Sequence, residues 1–262
     1  IFIQGVEETS MIQLLKIELF RLMSEIKAYK LDNIVGIGDV VLLCTGLLIG
    51  TGQNLFPDQS MVYALIGVIL WRTTVVCLQT SCGMIQKELR LGTLEQLFLS
   101  CYHFLEILFI RLIAKLIVEG GKLAFACFIL SIVFKIDFSE KINWTKITFA
   151  VLISLIGSIG MSFLVASVAL IYKKAMALVN SVNYFMLFFT GFLIPLEALP
   201  AFFTPVANLF PFVWAVRFIQ NTHEVYSVIA LTFTSIVWGL IGVEIFFFCY
   251  RKALSEGTAG QY

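Results

Sequence analysis

Gln86-Lys-Glu-Leu-Arg-Leu-Gly-Thr-Leu-Glu-Gln-Leu-Phe-Leu-Ser100 is a charged island between two long apolar segments, and its reading decides the fold. Gly92 can break a helix running up to Arg90, because glycine takes the left-handed conformations that end helices. Thr93 with Gln96 three residues later fits a capping box, so the spacing predicts a new short helix from Leu94. Within it Leu94, Leu97 and Phe98 fall at i, i+3 and i+4 on one face, and Glu95 occupies the first turn, where a carboxylate favours the helix dipole. One reading is a small amphipathic wedge lying across a membrane surface, where another protein can push. The other is a solvated loop that merely reverses the chain.

The surrounding composition requires the membrane. The chain has 262 residues, 60% of them hydrophobic, a mean hydropathy of +0.95 and only 13% charged residues, against about 25% charged in soluble domains. A hydrocarbon core of about 30 Å needs roughly 20 apolar residues per helix, and the apolar runs supply about six such spans. Run length also argues against a barrel, whose strands need only about 10 alternating residues. A net charge of +1 argues against nucleic acid as a partner. The chain does not begin with Met, and Ile1 to Ser10 shows no basic n-region with a cleavage site.

Outward from the island, the sequence predicts one transmembrane domain over 1–262, all-α. Met11 to Lys30 carries Ile12, Leu15, Leu19, Leu22, Met23 and Ile26 at helical spacing. This predicts an interfacial amphipathic helix over 11–30, a helix packed on a partner being the alternative. Spans are expected at 34–56, 61–85, 103–134, 147–172, 176–193 and 228–250, with the coupling segment at 86–100. Ser154, Ser158, Ser162 and Ala166 repeat every four residues, a stripe suited to close helix packing. Between the fifth and sixth spans, 194–217 is apolar but interrupted by Pro195, Pro200, Pro205 and Pro211, which excludes a continuous helix and suits short broken helices dipping into the outer face. The basic residues of the N-terminal helix, the central island, Lys173–Lys174 and Arg251–Lys252 share one side, against Lys135, Lys141, Lys146 and Arg217 on the other. By the positive-inside rule both termini and the island are cytoplasmic and the proline segment is external.

Intramembrane charge is the first place to look for function. Arg72 lies near the middle of the second span, and Asp39 is its possible partner by depth. Two readings stand: an ion pair holding helices together, or a place on a substrate pathway. On the long third span Arg111, Lys115, Glu119 and Lys122 form one stripe, in which Glu119 can pair with Lys115 and Lys122. A snorkelling, self-neutralised face and a pathway role both fit it. The six cysteines sit in or beside apolar segments without metal-ligand spacing, and His103 and His223 have no partner motif, so no metal is expected. Gly120-Gly121-Lys122 is followed by Leu123, with Leu116 where a phosphate-binding loop needs its first glycine. There is no nucleophile elbow and no H-E-x-x-H, so no catalytic residue and no cofactor of its own are expected.

Two stretches together resemble the membrane subunits of type-2 ABC exporters. Glu88-Leu-Arg-Leu-Gly92-Thr93-Leu94-Glu95-Gln96-Leu97 is similar to the family's E-x-x-x-G-T-L-E-Q-L coupling segment. Gly191-Phe-Leu-Ile-Pro195-Leu-Glu197-Ala-Leu-Pro200, continuing through Asn208-Leu-Phe-Pro211-Phe-Val-Trp214, is similar to its external segment. Cys101 departs from the pattern, standing where the family often has proline.

The resemblance implies a permease that works as a dimer, with an identical or homologous second permease subunit, in a bacterial cytoplasmic membrane. It also implies cytoplasmic ATPase subunits that bind ATP and Mg in this chain's place. Glu88, Arg90, Gly92, Thr93, Leu94, Glu95, Gln96, Leu97 and Phe98 would then couple to the ATPase, and Pro195, Glu197, Pro200, Pro211 and Trp214 would form an external gate. The cargo implied is amphiphilic: a drug, an antimicrobial peptide, a lipid or a lipid-linked glycan. The alternative is an ATP-independent carrier or channel using Arg72 and Glu119.

Overall fold

The computed structural model describes residues 11–50, 60–98, 103–134, 143–189, 200–220 and 224–255, and among these it contains helices and turns with no strand. The helices are α1 (Met11–Ala28), α2 (Lys30–Gly50), α3 (Ser60–Leu91), α4 (Leu94–Phe98), α5 (Phe104–Phe134), α6 (Trp144–Tyr172), α7 (Met176–Leu187), α8 (Thr204–Ala207), α9 (Pro211–Ile219) and α10 (Glu224–Ser255). Four stretches are long and apolar enough to cross a membrane: Leu65–Leu91, Phe104–Val133, Trp144–Tyr172 and Glu224–Ser255. The 12-residue α7 is a shorter apolar helix; at 1.5 Å per residue it extends about 18 Å. Residues 190–193 of the expected fifth span, and 51–56 of the first, lie outside the described residues.

Several helices run past the expected span ends. Helix α2 begins at Lys30 and α6 at Trp144, and α3 continues beyond residue 85 to Leu91, in keeping with a helix that runs up to Arg90 before Gly92. The sixth span begins at Glu224 and ends at Ser255, several residues beyond the apolar run at each end, since a helix continues into water wherever no glycine or proline stops it.

The firmest seam joins α6 to α10. A Cβ added to Gly242 would lie 2.0 Å from the Gly160 carbonyl oxygen, and one added to Gly160 would lie 2.3 Å from the Trp238 carbonyl oxygen, so the two backbones touch. All four residues of the small stripe on α6 are buried. Ser158 also shares a 2.8 Å hydrogen bond with Thr74 of α3, so the α6 stripe serves both neighbours. Helix α3 is the central one, with Trp71, Val75, Leu78, Cys82 and Ile85 buried along it.

The proline segment folds back into the protein. Pro211 opens α9 against Gly157 of α6, where an added Cβ would meet its ring at 2.5 Å. The Trp238 indole of α10 donates to the Leu209 carbonyl at 2.6 Å. Gly157 lies 13 residues beyond Trp144 and Trp238 lies 14 beyond Glu224, so the turn reaches about 20 Å along α6 and α10. Helix α9 then returns toward the end where those helices start: Phe218 meets Phe149 edge-on at 6.1 Å and lies under the Lys146 ammonium at 5.8 Å. There Lys146 forms an ion pair with Glu224. Every residue of α9 except Arg217 is buried, which is the condition for backbone ends to lie at such depth.

Candidate functional site

The end of α3 is built to stop. Gly92 takes a φ of +66°, its N–H donates to the Leu89 carbonyl at 3.2 Å, and the Thr93 N–H reaches back to the Glu88 carbonyl at 3.1 Å. This pair of bonds around a left-handed glycine is the Schellman termination. Helix α4 follows immediately at Leu94, as the spacing predicts. The Thr93 hydroxyl, read as the cap of α4, donates to the Glu88 carboxylate, so the turn is tied to the helix it leaves.

The apolar face of α4 is turned inward. Leu94 is only 2% exposed and Leu97 packs against the same core. The space between Leu97, Phe104 and Arg111 is a residual void of about 10 Å³, so the wedge is seated rather than loosely laid. What it presents outward is Arg90, Leu91, Gly92 and Gln96, with Leu91 63% exposed. Leu94 and Leu97 therefore anchor the wedge, and among the described residues here the exposed apolar side chain is Leu91, which helical spacing did not single out. Glu95 and Phe98 belong to α4, but their side chains lie outside the described set.

Glu88 faces a clasp. The Arg111 Nη1 donates to it at 2.7 Å and the Arg111 Nε donates to Glu18 of α1 at 2.9 Å. Arg21 also pairs with Glu18, at 2.7 Å. The side chains of Arg111, Glu18 and Glu88 are 19%, 14% and 15% exposed, which distinguishes this cluster from the solvated surface pairs that contribute little. One guanidinium thus joins α1, α3 and α5 directly behind α4, using the planar fork that lysine lacks. About two turns further along α5, Glu119 accepts from Lys115 at 3.1 Å and Lys122 at 2.9 Å, the pairing expected from the spacing.

A second tie leaves the same end of α3. With the Gln86 amide oriented so that its oxygen faces α7, it accepts from the Ala175 N–H at 2.7 Å and the Met176 N–H at 3.2 Å. Gln86 is 6% exposed and satisfies donors that the first turn of α7 cannot satisfy itself. Gln86→Ala should therefore cost about 1 kcal/mol, as loss of a helix cap does, read as a lower unfolding midpoint of the detergent-solubilised protein. His103, at the start of α5, meets Phe247 of α10 edge-on at 5.8 Å. The ends of α3, α6 and α10, the beginnings of α5 and α7, and α1 and α4 are thereby gathered at one end of the bundle.

The other expected residues fall elsewhere. Arg72 and Asp39 form no ion pair: α2 packs mainly on α5 and touches α3 only slightly, and Asp39 is exposed. Depth along a helix gave the two the same height but not the same azimuth. In the external segment Pro211 and Trp214 are buried and Pro200 is exposed, while Pro195 and Glu197 lie outside the described residues. Trp214 donates to the Asn208 carbonyl at 2.8 Å, Arg217 donates to the Asn208 side chain at 2.7 Å, and Arg217 stacks on Trp214 at 4.8 Å. Among the described residues no cluster of His, Cys, Asp and Glu could hold a metal.

Arg111, Glu18 and Gln86 were not legible as partners from spacing, because their contacts join residues 93, 23 and about 90 positions apart. Comparison with known proteins gives one match: the family model for ABC-2 type transporters covers residues 19–222, from α1 to the end of the proline segment. No curated protein matches the chain.

Proposed function

The chain belongs to the ABC-2 type transporter family and is an integral membrane permease component, and from that premise we propose that it is the permease subunit of an ATP-driven exporter. In this reading it spans the bilayer six times, with α2 and α7 completing the first and fifth crossings, and both termini are cytoplasmic. Two permease subunits form the pathway. Separate ATPase subunits carry ATP and Mg.

The observation that supports this reading best is α4 with its clasp. A partner's ATP-driven motion moves a pathway only if a stiff element connects the two and differs in energy between states. Helix α4 is seated by Leu94 and Leu97, tied through Thr93 and Glu88 to Arg111, and so joined to α1, α3 and α5 at once. Arg90, Leu91 and Gln96 would face the ATPase. The proline hairpin at the opposite end, walled by α6 and α10, would be the outer gate. Amphiphilic cargo is the class we propose, such as a drug, an antimicrobial peptide or a lipid-linked glycan.

The test is purification of the tagged chain from its native host in mild detergent, followed by mass spectrometry of what accompanies it and an ATPase assay. An ATPase subunit in equal amount is expected. Leu91→Asp should release it, because this side chain is exposed and its change leaves the bundle intact. Purification of the chain alone, under conditions that preserve membrane complexes, would replace this reading with the carrier.

A further inference from the structure

Helices α1 and α5 run side by side beyond the Arg111 clasp, and they part just far enough to leave a cavity of about 190 Å³. Its walls carry both signs of charge. Lys115 and Lys122 stand on α5, and Glu25, Tyr29 and Asp32 come from the elbow where α1 passes into α2. The elbow is held by Asn33, whose amide donates to the Tyr29 carbonyl at 2.7 Å. Helix α5 is about 46 Å long against about 30 Å of hydrocarbon, so roughly its first ten residues project. Lys115 then stands just inside the edge of the hydrocarbon and Lys122 about 10 Å below it, and both ammonium groups reach the same Glu119 oxygen, so the cavity runs inward from the headgroup level.

The charges are incompletely matched within the protein. Both lysines donate to the same oxygen of Glu119, and each ammonium has three donors, so donors remain on the basic wall. Glu25 and Asp32 take part in no ion pair among the described residues. Glu25 and Asp32 are exposed, so both carboxylates are open to a ligand. A purely anionic group would satisfy the lysines but would face two carboxylates. A zwitterion with a phosphate at one end and a small ammonium at the other satisfies both walls, with the Tyr29 ring beside the cation. On the neighbouring face of the same turns of α5, an apolar groove of about 360 Å³ lies between α3, α5 and α6, lined by Leu116, Gly120, Leu123, Val76 and Leu155. It is of a kind to take an acyl chain.

We propose that the α1–α2 elbow and α5 form a binding site for a phospholipid with a zwitterionic, primary-ammonium headgroup. Lys115 and Lys122 take the phosphate, and Glu25 and Asp32 take the ammonium. The site would hold a lipid of the leaflet that carries α1 against the helix that Arg111 connects to α4. It does not depend on the ATP-driven reading, since a carrier of the same fold would bind the lipid equally.

Native mass spectrometry of the full chain in mild detergent tests it, with three probes: phosphatidylethanolamine, phosphatidylglycerol and soluble phosphoethanolamine. Phosphatidylethanolamine is expected to bind about tenfold more tightly than phosphatidylglycerol, a difference of about 1.4 kcal/mol, and soluble phosphoethanolamine should bind far more weakly than the lipid. Lys122→Gln should lower retention of phosphatidylethanolamine. Asp32→Lys should reverse the preference toward phosphatidylglycerol, a change that misfolding cannot produce. Equal binding of the two lipids by the unaltered chain would overturn the proposal, as would an unchanged preference in Asp32→Lys. Soluble phosphoethanolamine binding as tightly as the lipid would show a site for free zwitterionic phosphate, and would overturn the lipid as occupant.

Discussion

In the ATP-driven exporter we propose, Arg111→Ala should uncouple ATP hydrolysis from transport while leaving a protein that is still made and inserted. The substitution leaves Glu18 and Glu88 as half-buried carboxylates without their shared cation. Losing one partner of a fully buried pair costs about 3–5 kcal/mol, and the partial exposure here brings the expected cost nearer 2 kcal/mol. That is enough to free α4 from α1 and α5, and too little to unfold the helix bundle. Arg111→Lys should recover only part of the coupling, because a single ammonium does not reproduce a fork that reaches Glu18 through Nε and Glu88 through Nη1. The measurement is substrate-stimulated ATPase and transport in proteoliposomes, compared at equal amounts of assembled complex. A transport loss of about tenfold or more is expected, equivalent to about 1.4 kcal/mol of coupling energy. Full coupling in Arg111→Ala would show that the clasp is only structural.

Gly242→Ala should be the most damaging alanine substitution among the described glycines. Its new methyl would stand 2.0 Å from the Gly160 carbonyl oxygen, and the obstacle is backbone, so no rotamer change removes it. Overpacking typically costs about 1–3 kcal/mol, and here two helices must separate along the seam that also carries Pro211 and Trp238. The expected result is a steep loss of monodisperse protein on size exclusion and a large fall in the unfolding midpoint. Gly239→Ala, one turn away on the same helix, is the matched control. Its methyl would meet only the Ile156 side chain, at 3.9 Å, and its behaviour should be close to that of the unaltered protein. Similar behaviour of the two variants would show that the α6 and α10 backbones do not touch at Gly160 and Gly242.

These two cases also show where sequence reading succeeds and where it stops. The turn at Gly92 was legible because its cause is local: a glycine, a threonine and a following amphipathic turn specify the termination within a few residues. The α6 stripe was legible as a packing surface, since small residues every four positions have few other uses in a spanning helix. Its partner was not, because the facing residues on α10 lie about 80 positions away and include Gly242 without a stripe of equal regularity. Arg111 was read as part of a snorkelling face because its own helix offers Lys115 and Glu119 at regular spacing. Its actual partners come from α1 and α3, and nothing in spacing along α5 encodes how those helices dock. Leu94 illustrates the remaining gap: the heptad-like pattern identifies an apolar face but not whether that face meets its own protein or another.

The proline hairpin constrains how a cell must make this protein. Its turn at Asn208 to Pro211 carries backbone groups about 20 Å along α6 and α10, a depth open to them only inside protein walls. One of those walls is α10, which begins at Glu224 and so leaves the ribosome after the hairpin it must shelter. The segment has to wait in water, or at the mouth of the insertion machinery, until the last span has entered the bilayer, and only then swing inward. Biogenesis of this fold therefore ends with a docking step that follows insertion, and a chain released before α10 is complete would display its most apolar short helix to the chaperones and proteases on that side of the membrane.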